Sequence, residues 1–373
     1  MSERDSTEPI AYRKWRRTQL MEWAKSGYST GKYNLARSGV PSIANAFDLP
    51  GGPFRPDTWG HNEGGHEGLK AIIAQWYGVQ PENVLLAQGA SQCDFLIAGA
   101  VLADGGAAIV ETPVYEPLLC AVEVWADRIV RLPRKKENCY LPDPAELRGL
   151  LGNDVRLVAL TNLHNPTHAL TERDLAAEIV RTAQESGATV MVDEVFLPMI
   201  ARDHRMHAAS VGAISVNSLG KSWGLDTLRV GWAVGPAEIV QRAYRLNNLM
   251  GVNQPYMTED LAWRVLQSER AVDFLIAEAE NAARGRALLQ EFVENTPQVT
   301  LIPPSAGISA LVELPRGTDD RRFSQMLLAE KDTVVFPGSY FECPGTIRVS
   351  FGGPREETAE GLRRLSEMVK SWH

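Results

Sequence analysis

Lys221 stands in SVNSLGKSWGLDTLRVGW, residues 215–232, among small and apolar residues, with a glycine on each side and Arg229 further on. A lysine in a partly desolvated pocket has a lowered pKa and acts as a nucleophilic amine. Ser218 before it and Arg229 after it are both suited to a phosphate group. Asp193, in MVDEVF, ends an apolar run, where an acid is costly unless paired. A protonated ring nitrogen or a structural salt bridge would each serve as its partner. Asn165 precedes a proline in NLHNPTHAL, so its backbone is held extended. Its amide either donates to a ligand oxygen or forms an ordinary Asn-Pro turn. Tyr115, in ETPVYEP, either stacks on a flat ligand or packs in the core. Gly89-Ala90-Ser91 opens a helical stretch, where free N–H groups suit a phosphate. The alternative there is a plain strand–helix turn with a Ser cap.

These residues need elements to hold them. VLLAQ (84–88), AAIVE (107–111), DRIVRL (127–132), VRLVALT (155–161), ATVMVDE (188–194), AISVNSL (213–219) and RVGWAVG (229–235) read as strands. Amphipathic stretches such as LKAIIAQWYG, SQCDFLIAGAVL and ERDLAAEIVRTAQESG separate several of them. Near-continuous apolar strands alternating with helices predict an α/β fold with a mostly parallel, seven-stranded sheet covered on both faces. Ligands in such sheets bind beyond the carboxyl ends of the strands, and the candidates fall there in succession. Residues 1–45 read as an N-terminal arm, with a helix around Ile10 to Lys25. Residues 46–255 form a large domain. It opens on the Gly- and Pro-dense loop FDLPGGPFRPDTWGHNEGGHEG. Residues 256–373 read as a small α+β domain. It has a long helix over 258–293, short strands near 298–302, 308–314, 333–336 and 346–350, and helices near 320–330 and 356–371.

Bulk properties narrow the classes. The chain has 373 residues, 44% hydrophobic and 23% charged, with net charge −8. That charge argues against a nucleic-acid or anionic-membrane binder. There is no apolar run of about 18 residues to span a membrane. The N-terminal MSERDSTEPIAYRKW has no secretory apolar core. The four cysteines show no CxxC pairing, so neither a disulfide framework nor a zinc site is expected, and a reducing cytoplasm fits.

A phosphate cup, a stacking ring, an amide donor, a ring-nitrogen carboxylate and a Schiff-base amine at one sheet edge are the needs of pyridoxal 5′-phosphate. With that, the chain resembles the fold-type I enzymes of this cofactor, specifically the class I/II, aspartate aminotransferase-like, aminotransferases. SLGKSWGLDTLRVGW resembles the S-x-x-K…R-x-G-W segment, NLHNPT the N-P-T-G element and MVDEVF the D-E-x-Y element. The resemblance implies Lys221 as Schiff-base lysine and proton shuttle, and Asp193 as partner of the ring nitrogen. It implies Asn165 at the ring oxygen, Tyr115 over the ring, and Ala90, Ser91, Ser218 and Arg229 around the phosphate. TIRVSFG matches the strand whose arginine grips the substrate α-carboxylate, here Arg348. SGV at 38–40 matches a glycine segment beside it, here Gly39. Relatives act as homodimers on amino acids, and the same is expected here, with transamination to a 2-oxo acid as the reaction.

Three positions depart from the pattern. Phe196 replaces the tyrosine of D-E-x-Y, His168 replaces the glycine of N-P-T-G, and Trp59 replaces a tyrosine that reaches the neighbouring subunit. His168 reads as a surface residue, one shell from the ligand, or as an added acid/base. His61 and His66 read as solvated loop residues or as part of the site lining. Such losses keep open a β- or γ-elimination, replacement or cyclisation of the capreomycidine synthase kind. They also suit a specialised, secondary-metabolic amino acid. A binding module without chemistry is disfavoured by the joint retention of Lys221, Asp193, Asn165, Arg229 and Arg348. Tyr28 and Tyr33 of the arm are expected to close over substrate.

Overall fold

The computed structural model describes residues 16–27, 30–50, 60–200, 207–301 and 307–372. All seven expected strands of the main sheet form: β2 (Val84–Ala87), β3 (Ala107–Thr112), β4 (Arg128–Pro133), β5 (Val155–Thr161), β6 (Thr189–Asp193), β7 (Ile214–Ser218) and β8 (Gly231–Val234). Their order is β2-β8-β7-β6-β5-β3-β4. Every pairing is parallel except those of β8, which runs against both β2 and β7. Alternate residues of each strand serve the two faces. Ile109, Val158 and Val190 pack with Ile179, Val180 and Ala183 of α6 (Arg173–Glu185). Val110, Ala159 and Met191 face the opposite side, in the core that holds Leu96 and Ile97 of α3 (Ala90–Val101) and Ala243 of α7 (Ala237–Met250). Helix α6 buries Ala176, Ile179, Val180 and Ala183, the 3- and 4-residue spacing of one helical face.

A second, four-stranded antiparallel sheet has the order β12-β13-β10-β9, from β9 (Thr300–Leu301), β10 (Ser309–Glu313), β12 (Phe336–Pro337) and β13 (Thr346–Ser350). Strands β1 (Tyr33–Asn34) and β11 (Thr333–Val334) pair in parallel beside it, so an early segment is tied to a late one. Helices α10 (Asp320–Lys331) and α11 (Arg355–Ser371) lie near their expected positions.

Two expectations need correction. The single helix over 258–293 is two: α8 (Tyr256–Leu266) and α9 (Glu269–Glu294). Ser268 separates them. Its hydroxyl accepts from Arg270 N at 3.2 Å, capping α9, and donates to Leu49 O at 2.6 Å. The arm helix, α1, runs from Gln19 to Gly27; residues 16–18 are not helical, and residues 10–15 lie outside the described residues. Glu116, first residue of α4 (Glu116–Glu123), fixes the start of α1 by accepting from Leu20 N at 2.7 Å. Among the described residues no helix is long and apolar enough to cross a membrane.

Candidate active site

The carboxyl ends of the parallel strands open on a cleft of about 270 Å³. Ala90, Ser91, Tyr115, Asn165, Asp193, Phe196, Ser218, Lys221, Arg229 and Arg348 all line it. Residues read separately along the sequence thus meet at one place. Gly39 lies just behind: a Cβ there would sit 3.2 Å from Lys221 O, and Val40 N donates to that same oxygen at 2.9 Å.

Lys221 follows β7, in the loop before β8. Its amine donates to Ser38 Oγ at 3.0 Å. Burial, and then the charge of Arg348, bring its pKa down to about 8. Asp193 ends β6 and is buried; its Oδ1 accepts from Val195 N at 3.1 Å. Burial pushes its carboxyl up to about 7, against the opposing pull of that hydrogen bond and of Lys221. An acid held that high by desolvation gains from a cationic partner.

One end of the cleft is built for an anion. Gly89 precedes α3 with φ +86°, and no side chain caps that helix. A Cβ on Gly89 would meet the Arg229 guanidinium at 2.4 Å, and a Cβ on Gly231 would meet Gly89 C at 2.4 Å. Only glycines let β8, the helix start and the guanidinium converge this closely. Arg229 Nη2 is steered by Gln88 O at 3.2 Å and Nη1 by Asp226 O at 3.3 Å.

At the opposite wall, Arg348 of β13 is buried, and its Nη1 donates to Asn165 Oδ1 at 3.0 Å. Its guanidinium lies 4.6 Å from the Phe336 ring centre and 4.7 Å from that of Phe341. Tyr115 also faces the cleft, its hydroxyl 3.9 Å from Met21 Sδ, and burial raises its pKa. Leu20, Met21, Ala24 and Lys25 of α1 complete this side.

The structure decides among the readings of the histidines. His168 is fully buried, not at the surface. Its Nδ1 accepts from Ile308 N at 3.3 Å, so the neutral ring carries its proton on Nε2, 2.9 Å from Ser309 Oγ. Burial, then Arg348, push it down to about 3, and it is not among the residues that line the cleft. It supports Phe196, ring centres 4.5 Å apart. His66 caps α2 (Glu67–Tyr77), accepting from Leu69 N at 3.1 Å, while His61 is exposed; neither lines the cleft. Tyr33 sits in β1 under the Arg364 guanidinium, 4.3 Å from its ring centre, rather than over the cleft. Trp59 and Tyr28 lie outside the described residues.

Sequence reasoning missed Ser38, Asp226, Phe336 and the α1 residues. Ser38 is the first residue of the SGV segment, whose glycine alone is singled out by the family pattern. Phe336 carried no local signal.

Comparison with known proteins decides the family. The profile described as Aminotransferase class I and II matches residues 59–365 of the 373. The chain belongs to this family. Its relatives include an aspartate aminotransferase of Pyrococcus horikoshii, 24% identical over 84% of each chain. Capreomycidine synthase of Streptomyces vinaceus is 26% identical, over 93% of this chain and 92% of that protein. A solved PLP-dependent aminotransferase from Streptococcus suis superposes with a TM-score of 0.88 at 24% identity, covering 96% and 98% of the two chains. As a class I and II aminotransferase-family enzyme, the chain uses pyridoxal 5′-phosphate. The donor set fits that group: a guanidinium beside an uncapped helix start for a phosphate, a buried carboxyl needing a cation, and a lysine of lowered basicity in the same cleft.

Proposed function

We propose that this enzyme transaminates an amino acid to a 2-oxo acid, with Lys221 as both Schiff-base lysine and Cα proton carrier. One observation carries the reading: the Lys221 amine, of lowered pKa, shares one cleft with the buried Asp193 carboxyl and the Arg348 guanidinium. The cofactor, when bound, supplies an aldehyde for amine condensation and an electron sink for Cα.

The chain's own residues do the rest. Ala90, Ser91, Ser218 and Arg229 hold the phosphate, and Tyr115 and Phe196 flank the ring. Asp193 keeps the ring nitrogen protonated, because a buried carboxylate and a cation stabilise each other's charged forms. Asn165 offers its amide to the ring oxygen while its carbonyl holds Arg348. Arg348 takes the substrate carboxylate in its planar fork, with Gly39 keeping the neighbouring backbone close. With Phe196 in place of tyrosine, no phenol at that position shares in holding the ring oxygen.

Reduction of the holoenzyme with borohydride, followed by digestion, is expected to leave the pyridoxyl group on the peptide containing Lys221; its absence refutes the assignment. Lys221→Ala should lose the adduct and all turnover. Incubation with amino acids and no acceptor should release stoichiometric 2-oxo acid. Sustained ammonia release would instead mark elimination, and a cyclic product the capreomycidine synthase type.

The wider arrangement belongs to the same proposal. The large domain spans 46–255, and the small one joins 256–373 to the arm 1–45, a division supported by the β1–β11 pairing. Exposed Leu249, Met250, Val252 and Met257 at the end of α7 and beyond it support a homodimer. Four unpaired cysteines suit the cytoplasm.

A further inference from the structure

Behind the Asn165 turn lies an ion pair that the chemistry above does not use. Glu111, in β3, and Arg134, just after β4, are both fully buried, with Arg134 Nη1 2.6 Å from Glu111 Oε2. Arg134 also donates to three neighbours: Tyr140 O at 2.6 Å, Thr161 O at 3.2 Å and Thr171 Oγ1 at 3.3 Å. Glu111 Oε1 accepts from Thr161 N at 3.0 Å and from Thr161 Oγ1 at 2.6 Å. The same hydroxyl accepts the Asn165 N–H at 2.9 Å, and Asn165 Oδ1 accepts from Arg348 at 3.0 Å. Hydrogen bonds, with the covalent frame of Asn165 as one link from its backbone N to its side-chain Oδ1, thus join a buried ion pair to the guanidinium at the cleft wall.

The direction of each bond is forced. An ionised carboxylate has no proton to give, so the Thr161 hydroxyl must donate to it and turn a lone pair toward Asn165 N–H. A neutral acceptor–donor group in place of Glu111 would let the hydroxyl rotate. Stability alone is a poor reason for such a pair. Burial pushes the Glu111 carboxyl up and the Arg134 guanidinium down despite their attraction. Apolar residues of similar volume often serve stability as well or better.

We propose that Arg134 and Glu111 are positioning residues: through the Thr161 hydroxyl they fix the Asn165 turn, and through Asn165 they aim Arg348 at the substrate carboxylate. This rests on the reading of Arg348 given above.

Glu111→Gln strands a buried cation and risks unfolding, so Thr161 carries the test. Holoenzyme is prepared as wild type, Thr161→Val and Thr161→Ser, and assayed with the amino acid that wild type turns over fastest. Thr161→Val is expected to raise KM about tenfold, the equivalent of about 1.4 kcal/mol. Its kcat should stay within about threefold of wild type, since the carboxylate is held equally before and during the reaction. The pH midpoint of the holoenzyme's visible absorbance should move by about half a unit, because Asn165 adjoins the ring. Thr161→Ser, which keeps the hydroxyl, should restore both readouts. An unmoved KM and midpoint in Thr161→Val, or a Thr161→Ser as impaired as the valine variant, overturns the positioning role. Wild type lacking the borohydride adduct at Lys221 removes the underlying reading, and this proposal with it.

Discussion

Lys221 is a weaker base in its cleft than in water, because burial and the Arg348 charge hold it near pKa about 8. Below that pH the amine is mostly protonated and not nucleophilic. Uptake of pyridoxal 5′-phosphate by cofactor-free protein should therefore speed up as pH rises from 7 through 8 and then level off. Stopped-flow absorbance checks this, and a rate flat across that range contradicts it. Arg348→Lys keeps the charge but loses the fork that bonds Asn165. KM for the amino acid should rise about 10- to 100-fold, the worth of a hydrogen bond to a charged group. Steady-state kinetics would decide it. The meeting of Lys221, Asp193, Asn165 and Arg229 at one cleft was legible because each follows or borders a strand that its own neighbours specify. Phe336 was not: it meets Arg348 only because the two are cross-strand partners between β12 and β13. Which of the readings of His168 holds was hidden for the same kind of reason, since its partners Ile308 and Ser309 are 140 and 141 residues away.

Elements with strong internal patterns were read correctly. Each strand of the main sheet is a short apolar run between turn residues, and helix α6 shows its buried face in its spacing. The break between α8 and α9 left no such mark, because helical periodicity continues across it. Only a serine flags it, through a cap bond and a contact with Leu49 that tertiary structure supplies. Ser268→Ala is expected to lower stability by about 1 kcal/mol, the usual worth of an N-cap. Turnover should not change, since Ser268 is not among the residues lining the cleft. Urea unfolding alongside an activity assay tests both halves. The start of α1 was also hidden, being set by Glu116 of a distant helix rather than by a local cap.

For the whole molecule, Leu249 and Val252 are 84% and 69% exposed, an unusual placement for two apolar side chains this close in sequence. If a second copy covers them, the double variant Leu249→Asp, Val252→Asp should fall from twice the chain mass to a single chain mass by light scattering. Wild type already at single-chain mass would remove the dimer from the proposal. The pairing of β1 with β11 has a consequence for synthesis. Tyr33 waits for Thr333, 300 positions later. A ribosome delivering about 5–20 residues per second leaves that first strand without its mate for about 15–60 s. The β2–β8 sheet is made in the meantime. Ser38, which holds the Lys221 amine, is carried on the segment just after β1. The surroundings of Lys221 are thus among the last things the nascent protein can finish.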